Sequence, residues 1–544
     1  MGRWKVIAIL GAAQFIMVLD TTVMNVSVSS VVEDLDTSIT QVQLAITLYT
    51  LVMGSLMLLG GKFGDIFGRK KVFGIGLVIY GTGSMITALS PNINVLLFGW
   101  SFVEGFGAVL VIPAIVALAA ANYEGRDRAT AYGVLGGVTA AGAAAGPLIG
   151  GWVTEAWTWR VVFASETFVC LGIMLTMRTI ADSARAEIDR RIDWLGAFLS
   201  AVGLALIVLA ILKASEWGFL LPKETLTIGG TEITPFGLSA VPFMIGAGVA
   251  VMFGFTAWER RLGARGGAPL MHPEILSNVH LRAGLAMLGA QQVVIAGVFF
   301  VLPIYLQYVL LQSAFETGVR IMPMSIAMLI GAGMGPRLAA TKSPKWIVTI
   351  GLYLVAAGAA VLMASISPEL NSPVFAGGLA LFGAGAGLIA SQLGNVIMSS
   401  VSDSERGEAG GLQGTSQNLG SSLGVALIGA VLLSSLGSGL NTRIAEDPAI
   451  SVETKQLVSQ GTQGGVDIYT REQVDEIASA APVSDAEAEK FVDYYVEAQL
   501  DSLKIALLFA GFLALLGLTA TRNLPTVPGV ELGADADESA AASN

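Results

Sequence analysis

The chain has 544 residues, of which 54% are hydrophobic and only 13% are charged. This composition excludes a water-soluble protein of several domains and is typical of a polytopic membrane protein. Two histidines and one cysteine leave too few ligands for a zinc site or an iron–sulfur cluster, so neither a metal nor another cofactor is expected. The net charge of −11 argues against nucleic acid as a partner.

Fourteen apolar segments approach or exceed the length of about 20 residues that a helix needs to cross a bilayer. In chain order they cover residues 6–31, 42–61, 72–90, 95–121, 130–151, 161–178, 194–212, 236–257, 284–308, 317–338, 346–366, 374–400, 411–436 and 501–520. The predicted fold class is therefore all-α, with 14 transmembrane helices.

The basic residues predict how these segments are oriented. With the N-terminus in the cytoplasm, 21 of the 30 Lys and Arg residues fall in inward-facing loops and termini. Because Lys and Arg accumulate on the cytoplasmic side, both termini are expected inside the cell, and the protein is expected in the inner or plasma membrane. The acid-rich segment 437–500 then lies outside. Its two capping-box sequences, Thr470–Gln473 and Ser484–Glu487, predict a small hairpin of short helices.

The loop after the second segment has a spaced pattern of glycines and charges, Gly61-x-x-x-Asp65-x-x-Gly68-Arg69-Lys70. A basic cluster in a cytoplasmic loop is also what charge asymmetry gives any membrane protein. The position and order of the residues, however, resemble the signature loop of the major facilitator superfamily. That resemblance implies a conformational switch, in which the acid and the basic residues connect helix ends and bias one state of the transporter.

The fifth segment carries glycines in a regular register around one proline: Gly133, Gly142, Gly146, Pro147, Gly150 and Gly151. Ordinary packing of small residues explains single glycines but not a proline in this register. The pattern is similar to the antiporter motif of proton-coupled exporters in the same superfamily. A glycine-lined helix with a proline can bend and slide against a neighbour, as alternating access requires.

Three further segments resemble the fourteen-span drug/proton antiporter family of that superfamily: Asp20-Thr-Thr-Val-Met-Asn25, Trp159-Arg160 and residues 411–420. The resemblance implies an N-terminal six-helix bundle over 1–180 and two extra central helices with cytoplasmic linkers over 181–282. It also implies a C-terminal six-helix bundle over 283–521, which includes the outer segment 437–500. Residues 522–544 are expected to form a disordered cytoplasmic tail.

The sequence departs from the family pattern at two places. In the fourth segment, Ser101 stands where these exporters usually have Arg, and Glu104 stands where they usually have Gln. The loop after the tenth segment resembles a second, degenerate copy of the signature loop, with Ala339 at the position of the Asp. The second half is therefore expected to lack the switch of the first.

Three acids fall well inside predicted spans: Asp20, Glu104 and Glu166. Since an ionised carboxylate in lipid is costly, each is expected to face a polar cavity and serve proton or substrate binding, together with Asn25. At about 1.5 Å per residue, Asp20 and Glu104 differ in depth by only about 5 Å, whereas Glu166 is placed nearer the outer surface. The alternative is a protonated acid with a structural role. Glu316 and Arg320 are expected to form an interfacial ion pair.

These features favour a proton-coupled exporter of bulky amphipathic or cationic compounds, working by alternating access, and not an enzyme. The sequence has no phosphate-binding loop for ATP, because Gly61-Lys62 is followed by Phe63. Export of an endogenous lipid is the first alternative, and a non-transporting membrane sensor or scaffold is the second. The expected partners are a small lipophilic substrate, protons and membrane lipids, with 437–500 as the surface for an outer-face partner.

Overall fold

The computed structural model describes residues 4–123, 125–181, 191–222, 226–228, 231–402, 405–462 and 466–527. The predicted disordered tail lies mainly outside these residues. Within them, 13 helices are long and apolar enough to cross a membrane, and the count reaches 14 when the bent helix of the fifth segment is included. The prediction of an all-α membrane protein is confirmed. A two-stranded antiparallel hairpin, β1 (Leu226–Ile228) and β2 (Thr231–Ile233), is a small addition to it.

The first six spans are built from eight α-helices. These are α1 (Lys5–Val26), α2 (Val28–Asp34), α3 (Ile39–Phe67), α4 (Arg69–Ala88), α5 (Ile93–Leu96), α6 (Gly105–Asn122), α7 (Gly125–Ala156) and α8 (Arg160–Thr176). The fourth span joins α5 to α6 through a π-helical stretch, Leu97–Glu104. The first helix is shorter than predicted, because it is interrupted at Ser27 between α1 and α2. The Ser27 hydroxyl forms a hydrogen bond with the Thr154 hydroxyl at 2.8 Å.

Two central helices follow, and then the second set of spans. The central helices are α9 (Trp194–Trp217) and α10 (Ala240–Ala264). The later helices are α11 (Val279–Ile304), α12 (Ala314–Ala339), α13 (Pro344–Ser365), α14 (Ser372–Ser399), α15 (Arg406–Glu446), α16 (Val452–Gly461), α17 (Arg471–Ala480) and α18 (Asp485–Leu516). Their bounds agree with the predicted spans to within a few residues, except around segment 437–500.

Segment 437–500 differs from the predicted hairpin of short helices. Both capping boxes form, and Thr470 begins α17 as predicted. The box at Ser484, however, opens the 32-residue α18, which runs without interruption into the last span. No proline or glycine occurs between Asp485 and Ala510 to stop this helix. The α15 helix likewise continues to Glu446. Segment 437–500, which we call the hairpin, is therefore carried on the extensions of two membrane helices, α15 and α18.

Close contacts between early and late helices hold the bundle together. The α3 helix packs along α15, and α7 packs against α12. The central helices pack on each other, and α9 also contacts α3 and α15. We call the end of the bundle that carries 437–500 the hairpin end, and the end that carries Gly61 to Lys71 the switch end. The first turn of α3 lies at the hairpin end, because the Thr40 hydroxyl donates to Asp467 at 3.2 Å.

Candidate functional site

Asp20 lies six residues before the end of α1 and is completely buried. The indole N–H of Trp100 donates to both carboxylate oxygens, at 2.9 and 3.1 Å. Tyr49 stacks on that indole, with ring centroids 4.7 Å apart. The indole is thus held between an aromatic ring and the carboxylate, and it gives Asp20 a neutral hydrogen-bond donor.

Glu104 reaches the same place from the fourth span. It ends the π-helical stretch in which Trp100 also lies, and such stretches are frequent at functional sites because they shift the register of the side chains. Backbone contact with α4 is close here, since a Cβ at Gly83 would lie 2.5 Å from the Glu104 nitrogen. Both carboxylate oxygens of Glu104 are buried without a hydrogen-bond partner.

Glu166 on α8 belongs to this group as well. It is 1% exposed, and one carboxylate oxygen accepts from Tyr80 and Ser84, each at 3.3 Å. One carboxylate oxygen from each of Asp20, Glu104 and Glu166 lies within 4.8 Å of the others. The expectation that Glu166 lies apart, nearer the outer surface, is therefore wrong. Depth counted along separate helices does not include how the helices are placed against one another.

We call these three residues the acid cluster. Like charges this close in a medium of low dielectric repel strongly, and burial adds a desolvation cost to every charge. No Lys, Arg or His of the described residues pairs with any of the three. Ionising all three acids at once is therefore costly, which makes the cluster a candidate site for proton binding.

Asn25 does not join the acid cluster. Its amide nitrogen donates to the carbonyl of Thr21 in the same helix at 2.7 Å, and its amide oxygen is buried without a partner. Tyr49, Tyr80, Ser84 and Trp100 do surround the cluster, and sequence reasoning missed all four. Trp100 precedes Glu104 by four residues, and Tyr80 precedes Ser84 by four, so each pair shares a helix face. The four-residue spacing, together with the depth of these helix faces relative to Asp20, was the sequence signal that could have predicted these neighbours.

The predicted switch loop connects the ends of α3 and α4. Arg69 donates to one oxygen of Asp65 from Nε at 3.2 Å and from Nη2 at 3.0 Å. Lys70 donates to the carbonyl of Ile180 at 2.6 Å and so connects this loop to the chain after α8. Gly68 has φ of 97°, a conformation that favours glycine at this turn. At Gly61, by contrast, an added Cβ would meet no atom within 4 Å, so packing does not require that glycine.

The glycines of α7 serve two neighbouring helices. Gly142, Gly146 and Gly150 lie against α1, where a Cβ at Gly146 would overlap the Thr22 hydroxyl. Gly151 lies against the backbone of α12, and the carbonyl of Pro147 occupies the space beside Gly318. The surroundings of Gly133 are outside the described part of the structure.

The α7 helix is also bent. Its parts Val134–Ala143 and Ala145–Ala156 meet at 44°, just before Pro147. A proline disrupts the helix over the preceding turn, which accounts for a bend at this place. The helix that carries the predicted antiporter motif thus touches α1 on one face and α12 on another.

Arg320 and Glu316 do not form the predicted ion pair. The Glu316 carboxylate accepts from the Ser313 nitrogen at 3.0 Å as part of a capping box. Arg320 instead donates to the Ser372 hydroxyl on α14 at 2.7 Å. Capping the first turn of α12 turns the acid away from the arginine one turn later.

Known proteins similar to this chain are membrane transporters. The chain is 30% identical over 433 residues to the puromycin resistance protein of Streptomyces alboniger, covering 79% of this chain and 82% of that protein. It is 30% identical over 448 residues to the cephamycin export protein of Amycolatopsis lactamdurans, covering 80% and 85%. It is 27% identical over 466 residues to a probable actinorhodin transporter of Streptomyces coelicolor, covering 84% and 77%.

A solved structure supports the fold. A bacterial homolog of the human lysosomal transporter Spinster, in an inward-facing and unoccupied conformation, matches with a TM-score of 0.60 over 96% of this chain and 98% of that one, at 16% identity. The family model of the Major Facilitator Superfamily matches residues 10–425. The chain is therefore a multi-pass membrane protein that belongs to the major facilitator superfamily of transporters.

Proposed function

We propose that this protein exports bulky amphipathic or cationic compounds in exchange for protons, by alternating access. The acid cluster carries the proposal, because three buried carboxylates without a cationic partner form a candidate site for binding and releasing protons. Protonation removes the repulsion within the cluster and allows it to be buried and dry. Ionisation creates negative charge that a cationic substrate neutralises, so substrate and proton compete for one region.

The three acids have different surroundings, which suggests different tasks. Asp20 has the Trp100 donor, so it is the acid best prepared to carry a negative charge. Glu104 has no hydrogen-bond donor, and a charge on it is the least compensated of the three. We infer that Glu104 retains its proton longest and ionises only when a cation or water reaches the cluster.

The conformation supports a closed hairpin end. There the Gln307 amide donates to the Val26 carbonyl at 2.7 Å, and the Ser313 hydroxyl donates to Glu155 at 2.5 Å. Both bonds join an early helix to a late one. If the termini are cytoplasmic, as the basic residues predict, the hairpin end is outside and this state is closed toward the outside. The bend of α7 beside Pro147 lies next to these contacts and is the place where we expect the closure to open.

The proposed division of the chain is residues 1–180, 181–282, 283–521 and 522–544. We propose that the first and third of these move against each other. The switch loop, with Asp65, Arg69 and Lys70, connects α3, α4 and the end of the first unit through Ile180. It therefore stabilises that unit internally at the switch end while the hairpin end opens.

The relatives indicate the class of cargo. Their names describe resistance to puromycin, resistance to and export of tetracenomycin C, export of cephamycin and probable transport of actinorhodin. Export of an endogenous lipid stays an alternative, because an apolar translocation path serves both classes. A scaffold without transport has no need for the acid cluster and is the weakest of the three candidates.

Proton movement in proteoliposomes tests the proposal directly. Purified protein is reconstituted with a pH-sensitive dye inside, and ethidium or native lipid extract is added in separate experiments. We expect ethidium to drive proton flux that Asp20→Asn removes and that the exposed control Glu33→Gln leaves unchanged. Proton flux that responds only to lipid would favour the lipid exporter, and the absence of flux with either would reject antiport.

A further inference from the structure

A second site lies between α12 and α14 at the hairpin end, away from the acid cluster. It is an open cleft of about 540 Å³, within the range of about 300–1,000 Å³ that is typical of small-molecule sites. Its walls are mostly apolar and are formed by Phe315, Val319, Pro323, Pro373, Phe375 and Ala376. Two charged residues, Glu316 and Arg320, also line it.

The two charges are held apart in this cleft. Glu316 is turned toward the start of α12 by the Ser313 nitrogen, and Arg320 is turned toward α14 by the Ser372 hydroxyl. Arg320 uses one N–H for this bond, so most of its five donors stay available to an anion. The cleft thus presents a planar cation that suits a phosphate group, and a carboxylate one helical turn nearer the membrane surface.

The cleft opens onto a face that lipid chains would cover. Val319 lines the cleft and is 39% exposed, and Ile326 and Ile330 continue the same face of α12 with 46% and 55% exposure. On α14, Val374 and Leu381 are exposed beside them. Arg320 is six residues from the start of α12, which is roughly 9 Å along the helix axis. An arginine at this depth lies at the boundary between headgroups and acyl chains.

We propose that this cleft binds one phospholipid with an ammonium-bearing headgroup. Its phosphate accepts from Arg320, its ammonium lies toward Glu316, and an acyl chain follows Val319 and Ile326 along α12. Apolar walls, a guanidinium and a displaced carboxylate match an amphiphile with this order of charges. The site is an accessory lipid site, and it does not depend on which compound the transporter carries.

Native mass spectrometry of the delipidated, full-length protein measures this binding. Phosphatidylethanolamine, phosphatidylglycerol and diacylglycerol are titrated separately. We expect one tight phosphatidylethanolamine site, a several-fold weaker affinity for phosphatidylglycerol, and no such site for diacylglycerol. Arg320→Gln is expected to weaken the first by about tenfold, because a charge-assisted hydrogen bond to phosphate is lost. Glu316→Gln is expected to reduce the preference between the two phospholipids.

Three control variants distinguish a loss of lipid binding from a loss of protein folding or of local packing. Arg282→Gln removes an exposed arginine at the switch end and should leave the affinity unchanged. Ser372→Ala removes the protein partner of Arg320 but keeps the cation, so lipid should still bind if the guanidinium holds phosphate. Ala376→Phe fills the cleft and should abolish the site while the thermal midpoint is retained.

Two outcomes would overturn the proposal. One is equal phospholipid affinity in wild type and Arg320→Gln, which would leave the arginine as a structural link to Ser372. The other is displacement of the lipid by millimolar soluble glycerophosphoethanolamine, which would identify a site for a free phosphate ester and not for a lipid of the bilayer.

Discussion

The acid cluster and the hairpin segment use the same residue types in opposite ways. In the hairpin, Asp447 accepts from Lys490 at 2.6 Å, and Arg443 donates to Asp501 at 2.5 Å. In the acid cluster, Asp20 has only neutral donors, and Glu104 has none. Ion pairs in water contribute modestly to stability, whereas a buried acid without a cation is costly to ionise. The ion-paired carboxylates of the hairpin join its helices, whereas the unpaired acids of the cluster are the candidates for transport.

The largest effect is expected at Asp20. Asp20→Asn keeps the shape of the side chain and an oxygen acceptor for Trp100, but an amide cannot release a proton. Proton-coupled export in proteoliposomes should fall to the level of empty vesicles, while the thermal midpoint stays close to that of wild type. Coupled transport at the normal rate by a folded Asp20→Asn protein would contradict the assignment of the acid cluster.

Glu104 should control charge selectivity. Glu104→Gln is expected to lower transport of dicationic dyes by about tenfold and to affect monocationic or neutral ones much less, because one countercharge is lost in a medium of low dielectric. A matched series of mono- and dicationic dyes, measured in the same vesicles across pH, provides the test. An equal loss for all dyes, or no loss, would show that Glu104 is a structural acid.

Pro147 should affect the rate and not the affinity. Pro147→Ala restores a backbone donor and straightens the bend of α7, so alternation is expected to slow by several-fold while substrate affinity is retained. Turnover and equilibrium binding of the same substrate measure the two quantities separately. Leu148→Ala, next to the bend but without a backbone change, is the matched control. Normal turnover in Pro147→Ala would remove the bend from the mechanism.

The smallest effect is expected at Asp447, where the contribution of an ion-paired carboxylate to the stability of the hairpin can be measured. Its hydrogen bond from Lys490 lowers its pKa from the usual 3.8 to about 2. A lowered pKa gives stability that is present above the unfolded value and is lost as the pH falls from about 4 to 2. The protection factors of the α16 amides, which correct for the pH dependence of the intrinsic exchange rate, should therefore fall over this range in wild type, and those of Asp447→Asn should already be low at pH 5.

The titration of Asp467 also changes the stability of the hairpin with pH and has to be separated from that of Asp447. Burial raises its pKa above the usual 3.8, so its protonation favours the folded hairpin as the pH falls and opposes the loss at Asp447. The difference between wild type and Asp447→Asn removes the contribution of Asp467, which both proteins share. If that difference stays constant from pH 5 to pH 2, Asp447 does not stabilise the hairpin through its charge.

The sequence alone determined the number, order and approximate bounds of the membrane helices. Long apolar runs between charges have few alternatives to a membrane helix, because backbone groups in lipid must be bonded within the segment. It also indicated the ion pair of Asp65 and Arg69 from the local spacing of the signature loop, although the same spacing did not produce a pair at Glu316 and Arg320. Both capping boxes of the hairpin were found for the same reason of local spacing.

Only the tertiary structure decided which residues meet across helices. The packing of α1, α4, α8 and the fourth span brings Glu166, Trp100 and Tyr80 to Asp20, and this packing has no signature in the spacing of one helix. The choice of partners for Glu316 and Arg320 likewise followed from a cap and from a serine on α14, not from their separation of four residues. Periodicity fixes the face of a helix on which a side chain lies, but the rotation, tilt and depth of each helix depend on the packing of all the others.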